Sequence, residues 1–431
     1  MQIGNGGQVR LCCQSKFLSD AAGKPLSVYE KSEDEIWNSK HMREIRHGMI
    51  EGKQVTECTE CWKQESHGGV SRRMAENAMV DRTNLKSRLL KLLNLSDPLG
   101  KIRADALRND FFVHSSPVDL ELEVGNVCNL KCRMCSPAYS SKIESDPVHS
   151  KWFDNPDEQQ EKGKRNIYPL SRLPEKKHWF KEKQFIYGEL LKQPRSIRKI
   201  IFKGGEPFLS KEAVDILEYL SKQGDGRKIE VDVVTNGTVV EARLFKALAR
   251  FDRAMIAVSL DGVGNLYEYI RYPAKWSAVE ENLKRFSKLS NVVLMTSITF
   301  QAYNALQIVD LFRFCNRYGY EINQNALSYP AYLAAAIIPP KARKMAIERI
   351  RGYVESDCKQ KNRASIGALA TALEALGDQI DVENLKKFML FTNDLDQSRV
   401  QKFRDVHAEL LGYIEEAGIE WSSESRFARH G

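Results

Sequence analysis

No stretch of this 431-residue chain is apolar for long enough to cross a bilayer: the longest apolar runs, such as Ala331 to Ile338, fall well short of the ~18 residues that a span needs. The amino terminus, Met1-Gln2-Ile3-Gly4-Asn5-Gly6, has neither a basic n-region nor an apolar h-region, so no secretory signal is expected and a cytoplasmic location is. Charge of one sign is not concentrated either. A formal net charge of +8 spread over this length permits attraction to RNA, phosphates or an anionic surface without demanding it. No internal repeat is found. A disulfide framework is disfavoured as well, because the nine cysteines are odd in number, clustered, and follow no secretion signal.

The clustering is informative: cysteines stand at 12, 13, 58 and 61, then at 128, 132 and 135, with Cys315 and Cys358 isolated. Closely spaced thiols in such a chain point to metal ligands. The two isolated ones fall in helical patterns and read as inert packing residues. Around the first group, residues 1–80 read as a small module. Gly6-Gly7 precedes an alternation that runs into Cys12-Cys13, as in a hairpin, and Ser32 to Glu35 forms a capping box. The helix it opens carries Ile36, Trp37, Ile45 and Met49 as an apolar stripe before Gly52. A module of this size commonly needs a metal or a staple, which the cysteines could supply. Residues 81–116 read as a basic, helical linker.

From residue 117 strands alternate with helices, the signature of a parallel sheet with crossover helices. Six strands are expected: Val118–Gly125, Arg198–Lys203, Ile229–Val234, Ala254–Leu260, Val292–Thr299 and Glu321–Ala326. The helix after the second starts at Ser210, turns Val214, Leu217 and Leu220 inward and stops at Gly224. Another opens on the box Ser277-Ala278-Val279-Glu280. Six units suggest an open α/β barrel over 117–328. Its ligands would gather beyond the carboxyl ends of the strands. The polar stretch Ser145 to Lys183 reads equally as a substrate lid or a solvated insertion. Residues 329–431 read as successive helices, with Val400, Phe403, Val406, Leu410 and Ile414 on one apolar face.

Immediately after the first strand stand Cys128, Cys132 and Cys135, in the spacing CxxxCxxC. Three thiolates hold a 4Fe-4S cluster with one iron left free to bind a cofactor or substrate, whereas a structural zinc would want a fourth Cys or His close by. None follows Cys135 until His149. Val127-Cys128-Asn129-Leu130-Lys131-Cys132-Arg133-Met134-Cys135 resembles the signature loop of the radical S-adenosylmethionine (SAM) superfamily. Gly204-Gly205-Glu206-Pro207 is similar to the GGEP motif, Thr235-Asn236-Gly237-Thr238 to the TNG segment, and Ser259-Leu260-Asp261-Gly262 to the motif near the SAM ribose. Arg271 falls where relatives pair an arginine with the SAM carboxylate. Each motif follows the expected strand in the expected order, over residues 118–326. The residue chemistry is compatible. Gly204 and Gly205 allow close backbone approach, Glu206 accepts from an ammonium and Arg271 grips a carboxylate, while Thr235, Asn236, Ser259 and Asp261 are ordinary strand-end residues on their own.

The resemblance implies a partial (β/α)6 radical SAM barrel in which SAM is cleaved reductively to methionine and a 5′-deoxyadenosyl radical. That radical abstracts hydrogen from a peptide or a polar, for example sugar-derived, small molecule. A reducing protein such as flavodoxin or ferredoxin is implied as partner. No cobalamin domain is recognisable. Ser297, Thr299, Asn304, Asn325, Tyr329 and Tyr332 are candidates for the substrate side. Cys12, Cys13, Cys58 and Cys61 resemble a twitch module, the short form of the SPASM domain, with an auxiliary iron–sulfur cluster. Zinc fits the same spacing, and the adjacent Cys12 and Cys13 would both ligate only if the backbone turns between them. Two other functions stay open: an RNA-modifying radical enzyme, suggested by the basic stretch Arg82 to Arg108, and a non-catalytic iron–sulfur scaffold or electron carrier.

Overall fold

Short apolar runs bounded by turns become strands where β-branched side chains pack on both faces. The computed structural model, which describes residues 1–66, 71–74, 76–78, 98–153, 178–223 and 226–427, places eight of them: β1 (Gln2–Ile3), β2 (Val9–Arg10), β3 (Asp119–Glu123), β4 (Lys199–Lys203), β5 (Glu230–Thr235), β6 (Arg253–Ser259), β7 (Val292–Phe300) and β8 (Glu321–Ala326). The last six coincide with the expected strands to within one or two residues at each end. The chain divides into two compact units, one of Met1–Glu123, Pro174–Ile201 and Lys222–Asp225, the other of Val124–Leu173, Phe202–Ser221 and Gly226–Gly431.

In the first unit β1 pairs antiparallel with β2 and parallel with β3, Gln2 lying opposite Glu121 and Ile3 opposite Leu122. The hairpin turns at Gly7, whose φ of +77° suits glycine and whose Cβ would lie 2.6 Å from the Tyr29 ring. The capping box forms as expected, with Ser32 and Glu35 satisfying each other's backbone N–H. The helix it opens is not continuous, however. α1 (Glu33–Trp37) stops at Asn38, and Ser39 caps a second helix, α2 (Lys40–Ile50), by accepting from Met42 N. The break rotates the stripe, so that Met42 is buried beside Ile45 and Met49 is 43% exposed. α3 (Thr59–Ser66) carries Cys61, and α4 (Pro98–Arg108) is the described part of the expected linker. The basic residues 82–97 lie outside the described residues.

In the second unit β5, β6, β7 and β8 pair in that order, all parallel. Val231, Val233, Ile256 and Val258 are fully buried, each worth ~1.5–3 kcal/mol. Sequence order equals spatial order, each strand being joined to its neighbour by a crossover. The described strands do not close into a ring, so the fold is an α/β partial barrel. Crossover helices follow: α5 (Lys211–Gln223) after β4, α6 (Ala242–Leu248) after β5, α7 (Gly264–Ile270) and α8 (Trp276–Phe286) after β6, and α9 (Ile308–Tyr318) after β7. α5 buries Val214, Leu217 and Leu220 as expected, and Ser210 caps it by accepting from Ala213 N. α8 departs from expectation. It begins at Trp276, so Ser277 sits inside the helix and caps nothing, and Trp276 N instead donates to Glu268 Oε1 at 2.9 Å.

Four helices complete the unit: α10 (Pro340–Ser356), α11 (Gln360–Glu374), α12 (Val382–Arg399) and α13 (Phe403–Glu416). Phe403, Leu410 and Ile414 are buried as expected. Val400 belongs to no helix face. It ends α12 with φ +54° and is 96% exposed. Residues 154–177, the centre of the possible lid, lie outside the described residues. Among the described residues no helix is long and apolar enough to cross a membrane.

Candidate functional site

β3 delivers the chain into the CxxxCxxC loop at the start of the second unit. Backbone bonds fix the loop: Lys131 N donates to Tyr272 O at 2.7 Å, Arg133 N to Ile270 O at 2.9 Å and Ser141 N to Asn126 O at 2.7 Å. Ser140 Oγ donates to Leu130 O at 2.6 Å. The loop is held shut by a buried cation as well. Arg133, 0% exposed, donates from Nε to Tyr269 O at 3.0 Å and from Nη2 to Asp396 Oδ1 on α12 and to Gln401 Oε1, while its guanidinium lies 3.7 Å from the Tyr269 ring centroid. Asp396 Oδ1 also accepts from Tyr269 Oη at 2.8 Å. The sequence reading missed both residues. A charge inside the signature loop is the one signal Arg133 offers, and Asp396 offers none.

The three thiols are free and differ in their partners. Cys128 Sγ accepts from Leu130 N at 3.5 Å and Asn236 Nδ2 at 3.8 Å, and Cys132 Sγ from Arg271 Nη1 at 3.7 Å. Burial pushes the Cys128 thiol up to about 12, with neighbouring Cys132 adding to it. Cys132 and Cys135 are raised for the same first reason, and Arg271 and Arg399 pull Cys132 back down. Thiols this buried ionise only with a compensating charge, which bound iron would supply. N–H donors and a guanidinium aimed at sulfur suit a negatively charged iron–sulfur cluster, so the donor set fits one. Among the described residues no three His, Cys, Asp or Glu side chains converge on a single metal-ion position; a cubane spreads its ligands over separate irons.

The glycine pair packs against this loop. Gly204 has φ +119°. A Cβ on Gly205 would lie 2.4 Å from Val127 O and 2.6 Å from Asn126 C, and Gly205 N and Glu206 N donate to Gly125 O at 2.9 Å and Val127 O at 2.7 Å. Close approach is therefore made to the chain's own backbone. Glu206, 1% exposed, accepts from Thr235 Oγ1 at 2.7 Å, Asn236 N at 2.6 Å and Phe208 N at 3.0 Å. Burial outweighs these donors and lifts its carboxyl to about 7. Asn236 also donates from Nδ2 to Asn129 Oδ1 at 2.9 Å, and Asn129 to Thr238 Oγ1 at 2.9 Å. Asn129 is thus a further residue of the web, concealed in sequence by its ordinary polarity.

Arg271 and Asp261 form a buried ion pair, Nε to Oδ2 at 2.8 Å, and Asp261 Oδ1 accepts from Thr299 N at 2.8 Å. Asp261 orients the arginine, whose Nη1 already reaches Cys132. Ser259 stands half-buried at the end of β6, in register with Ser297. Of the substrate-side candidates, Asn304 is committed to Asp261 O and Thr299 O, and Tyr332 is buried against Trp152 and Phe391. Thr299, Asn304 and Asn325 meet, since half-buried Thr299 accepts from Asn304 and lies in register with exposed Asn325, whereas Tyr329 is half-buried on the segment after β8.

In the first unit the adjacent cysteines sit at a turn of the backbone. Ser15 Oγ accepts from Leu11 N and Cys12 N and donates to Cys12 O, which turns the backbone there. Cys13 Sγ accepts from Arg72 Nη1 at 2.6 Å, and Arg72 Nη2 pairs with Glu121 at 2.9 Å. Cys12 acts both on Arg72 and on Cys58. Burial lifts the Cys58 thiol to about 11, with Cys12 and then Cys61 adding to it. Arg73 lies 3.7 Å over the Trp62 ring beside this group. Cys315 and Cys358 are buried in packing, as expected.

The model of the radical SAM superfamily matches residues 122–315, and that of an iron–sulfur cluster-binding domain, SPASM, matches residues 1–62. None of the curated proteins matches the chain. Similar solved structures include native anSMEcpe with bound AdoMet and the Cp18Cys peptide, at 17% identity, TM-score 0.35, covering 55% of this chain and 60% of that one. Streptococcus suis SuiB bound to S-adenosylmethionine has 15% identity and a TM-score of 0.37, over 65% of this chain and 60% of that one. TYW1 with a lysine-pyruvate adduct has 14% identity and a TM-score of 0.27, over 51% and 68%. The chain spans about 60% of the length of the first two. An iron–sulfur cluster, an auxiliary cluster and SAM are the cofactors of these domains. Residues 122–315 thus form a domain of the radical SAM superfamily, and residues 1–62 an iron–sulfur cluster-binding domain of the SPASM kind.

Proposed function

We propose that Cys128, Cys132 and Cys135 hold the catalytic 4Fe-4S cluster and that the enzyme removes a hydrogen atom from a peptide or polar small-molecule substrate. The observation that carries this reading is the web joining the cysteine loop to the GGEP and TNG loops, with Asn236 and Arg271 donating to two of the three sulfurs. When bound at these cysteines, the cluster would supply the one electron for reductive cleavage of SAM at its sulfonium–C5′ bond to methionine and the 5′-deoxyadenosyl radical that would take hydrogen from the substrate.

The chain's own residues do the rest. Arg271, aligned by Asp261, binds the SAM carboxylate through the guanidinium N–H groups that Asp261 and Cys132 leave free. Gly204, Gly205, Glu206, Thr235 and Asn236 shape the wall that receives the rest of SAM, Glu206 by clamping the TNG loop to the GGEP loop, and Ser259 lies at the ribose end. The amino-terminal module holds its cluster with Cys58, Cys61, Cys12 and Cys13 as its ligand set, Arg72 donating to Cys13 as Arg271 does to Cys132. Residues 1–80, 81–116, 117–328 and 329–431 serve as auxiliary module, linker, catalytic barrel and helical cover. The electron donor is a reducing protein of the flavodoxin or ferredoxin class, in the cytoplasm.

The test is anaerobic reconstitution followed by iron, sulfide and zinc analysis and assay of 5′-deoxyadenosine with SAM and dithionite. Wild type should take up about eight irons, two cubanes' worth, and the Cys128→Ala/Cys132→Ala/Cys135→Ala variant about four with no deoxyadenosine. Deoxyadenosine from the triple variant, or none from a fully loaded wild type, refutes the assignment.

A further inference from the structure

Arg399 is the last residue of α12 and is 4% exposed. Its Nη2 meets His149 Nδ1 at 3.1 Å, while Nε and Nη1 are buried with no hydrogen-bond partner. Among the described residues no carboxylate lies within ion-pair distance of it. Burial and the like charge of Arg133 depress it to about 10, so it is still a cation at neutral pH. His149 is held neutral, well below the ordinary imidazole range, by burial and by Arg399. It offers no counter-charge.

The surroundings place this cation beside the cysteine loop. The guanidinium lies 5.2 Å from the Tyr272 ring centroid, and Tyr272 O accepts Lys131 N, one residue before Cys132. Lys131 Nζ pairs with Asp146 Oδ2 at 2.6 Å, and Asp146 Oδ1 accepts from His149 N at 2.9 Å, which closes a ring of contacts back to Arg399. The charges here do not cancel. Among the described residues the carboxylates paired with Arg133 and Lys131 are Asp396 and Asp146, and none pairs with Arg399. A buried cation without an anion is costly and persists where another group compensates it. The chain also distorts itself to place it. Val400, β-branched and in the left-handed region, is the turn that leaves both Arg399 and Gln401 directed inward, Gln401 Oε1 accepting from Arg133.

We propose that Arg399 is a positioning residue whose charge complements the negative iron–sulfur cluster at Cys132 and sets its reduction potential. The inference rests on the assignment of that cluster to Cys128, Cys132 and Cys135. Reduction adds one electron, from a low-potential one-electron donor, without making or breaking a bond. A nearby cation favours the more negative, reduced state.

The experiment is an EPR-monitored redox titration of the reconstituted holoenzyme without SAM, using dithionite and mediators, on wild type, Arg399→Gln, Arg399→Met and Arg399→Lys. Both neutral variants should shift the cluster to lower potential, so that its reduced fraction at a fixed potential falls about tenfold, the order expected for one charge through an effective dielectric of about 20. Arg399→Lys should stay near wild type. Arg399→Gln keeps a donor for His149 and guards against a Met variant that fails to load. A wild-type potential in Arg399→Gln, or a lysine variant shifted as far as the neutral ones, overturns the proposal. Iron content of the wild type that is unchanged by the triple cysteine substitution would instead sink the cluster assignment.

Discussion

Breaking the Arg133–Asp396 pair should cost far more than replacing both partners. Arg133 is fully buried, and Asp396 is the only carboxylate in ion-pair contact with it among the described residues. Asp396→Asn keeps the shape, yet leaves the guanidinium with two neutral acceptors, Tyr269 O and Gln401 Oε1, and Nη1 already unpartnered. An uncompensated buried charge of this kind costs about 3–5 kcal/mol. Arg133→Met strands the Asp396 carboxylate with Tyr269 Oη as its remaining partner and should cost about as much. In the double variant neither charge is present, so the two losses should fail to add by at least ~2 kcal/mol. Urea unfolding of the four apoproteins under reducing, anaerobic conditions, followed by circular dichroism, gives the cycle directly. Losses that add to within ~0.5 kcal/mol would show that the pair contributes nothing beyond its separate contacts, and the account of α12 as the clamp of the cysteine loop would fail.

Other outcomes follow from the same geometry. His407, 3% exposed and stacked on Phe403 with ring centroids 4.6 Å apart, is held at about 3 by burial and then by Arg133, against 6.5 when unfolded. Because the unfolded chain takes up this proton first on acidification, the stability is complete above pH 6.5 and is lost as pH falls towards 3, about 2 kcal/mol of it between 6.5 and 5. The His407→Phe variant should lose correspondingly less over that interval in urea titrations at the two pH values, and an unchanged pH dependence would refute the assignment. Val400→Gly should raise the unfolding midpoint, since relief of ~1–2 kcal/mol of left-handed strain exceeds the ~0.5–1 kcal/mol of added unfolded-state entropy; a lowered midpoint contradicts it. Gly205→Ala should destabilise by at least ~1–3 kcal/mol and reduce iron retention, because its Cβ meets backbone that cannot swing aside. Iron content after gel filtration decides that point.

β5 and β6 were legible because burial on both faces leaves nearly continuous apolar runs, β7 because its burial alternates, while β8, Glu321–Ala326, is polar and was marked by its place after a helix; the motif order fixed which loops meet. What the loops do there was less legible. Gly205 reads in sequence as space for a ligand, whereas the space is taken by Val127 and Asn126 of the same chain. Asp261 reads as a turn residue, yet it is the counter-ion of Arg271. Local pattern also misled where tertiary contacts decide. Ser277-Ala278-Val279-Glu280 has the form of a capping box, but Glu268 supplies an acceptor for Trp276 N and the helix starts two residues early, with Lys275 rather than Ser277 at its cap. Val400 extended an apolar periodicity that the left-handed turn after Arg399 interrupts. The roles of Arg399 and Asp396 had no sequence signal, since a charged residue on a helix is ordinarily solvated.

The distance in sequence between Arg133 and its carboxylate, 263 residues, has a consequence for biosynthesis. A ribosome releases residues in order, and chains fold as their segments emerge. The cysteine loop emerges early, but its guanidinium lacks a counter-ion until α12 has left the exit tunnel. A nascent chain halted before residue 396 therefore presents the loop that carries three cysteines with its buried guanidinium still lacking the Asp396 carboxylate.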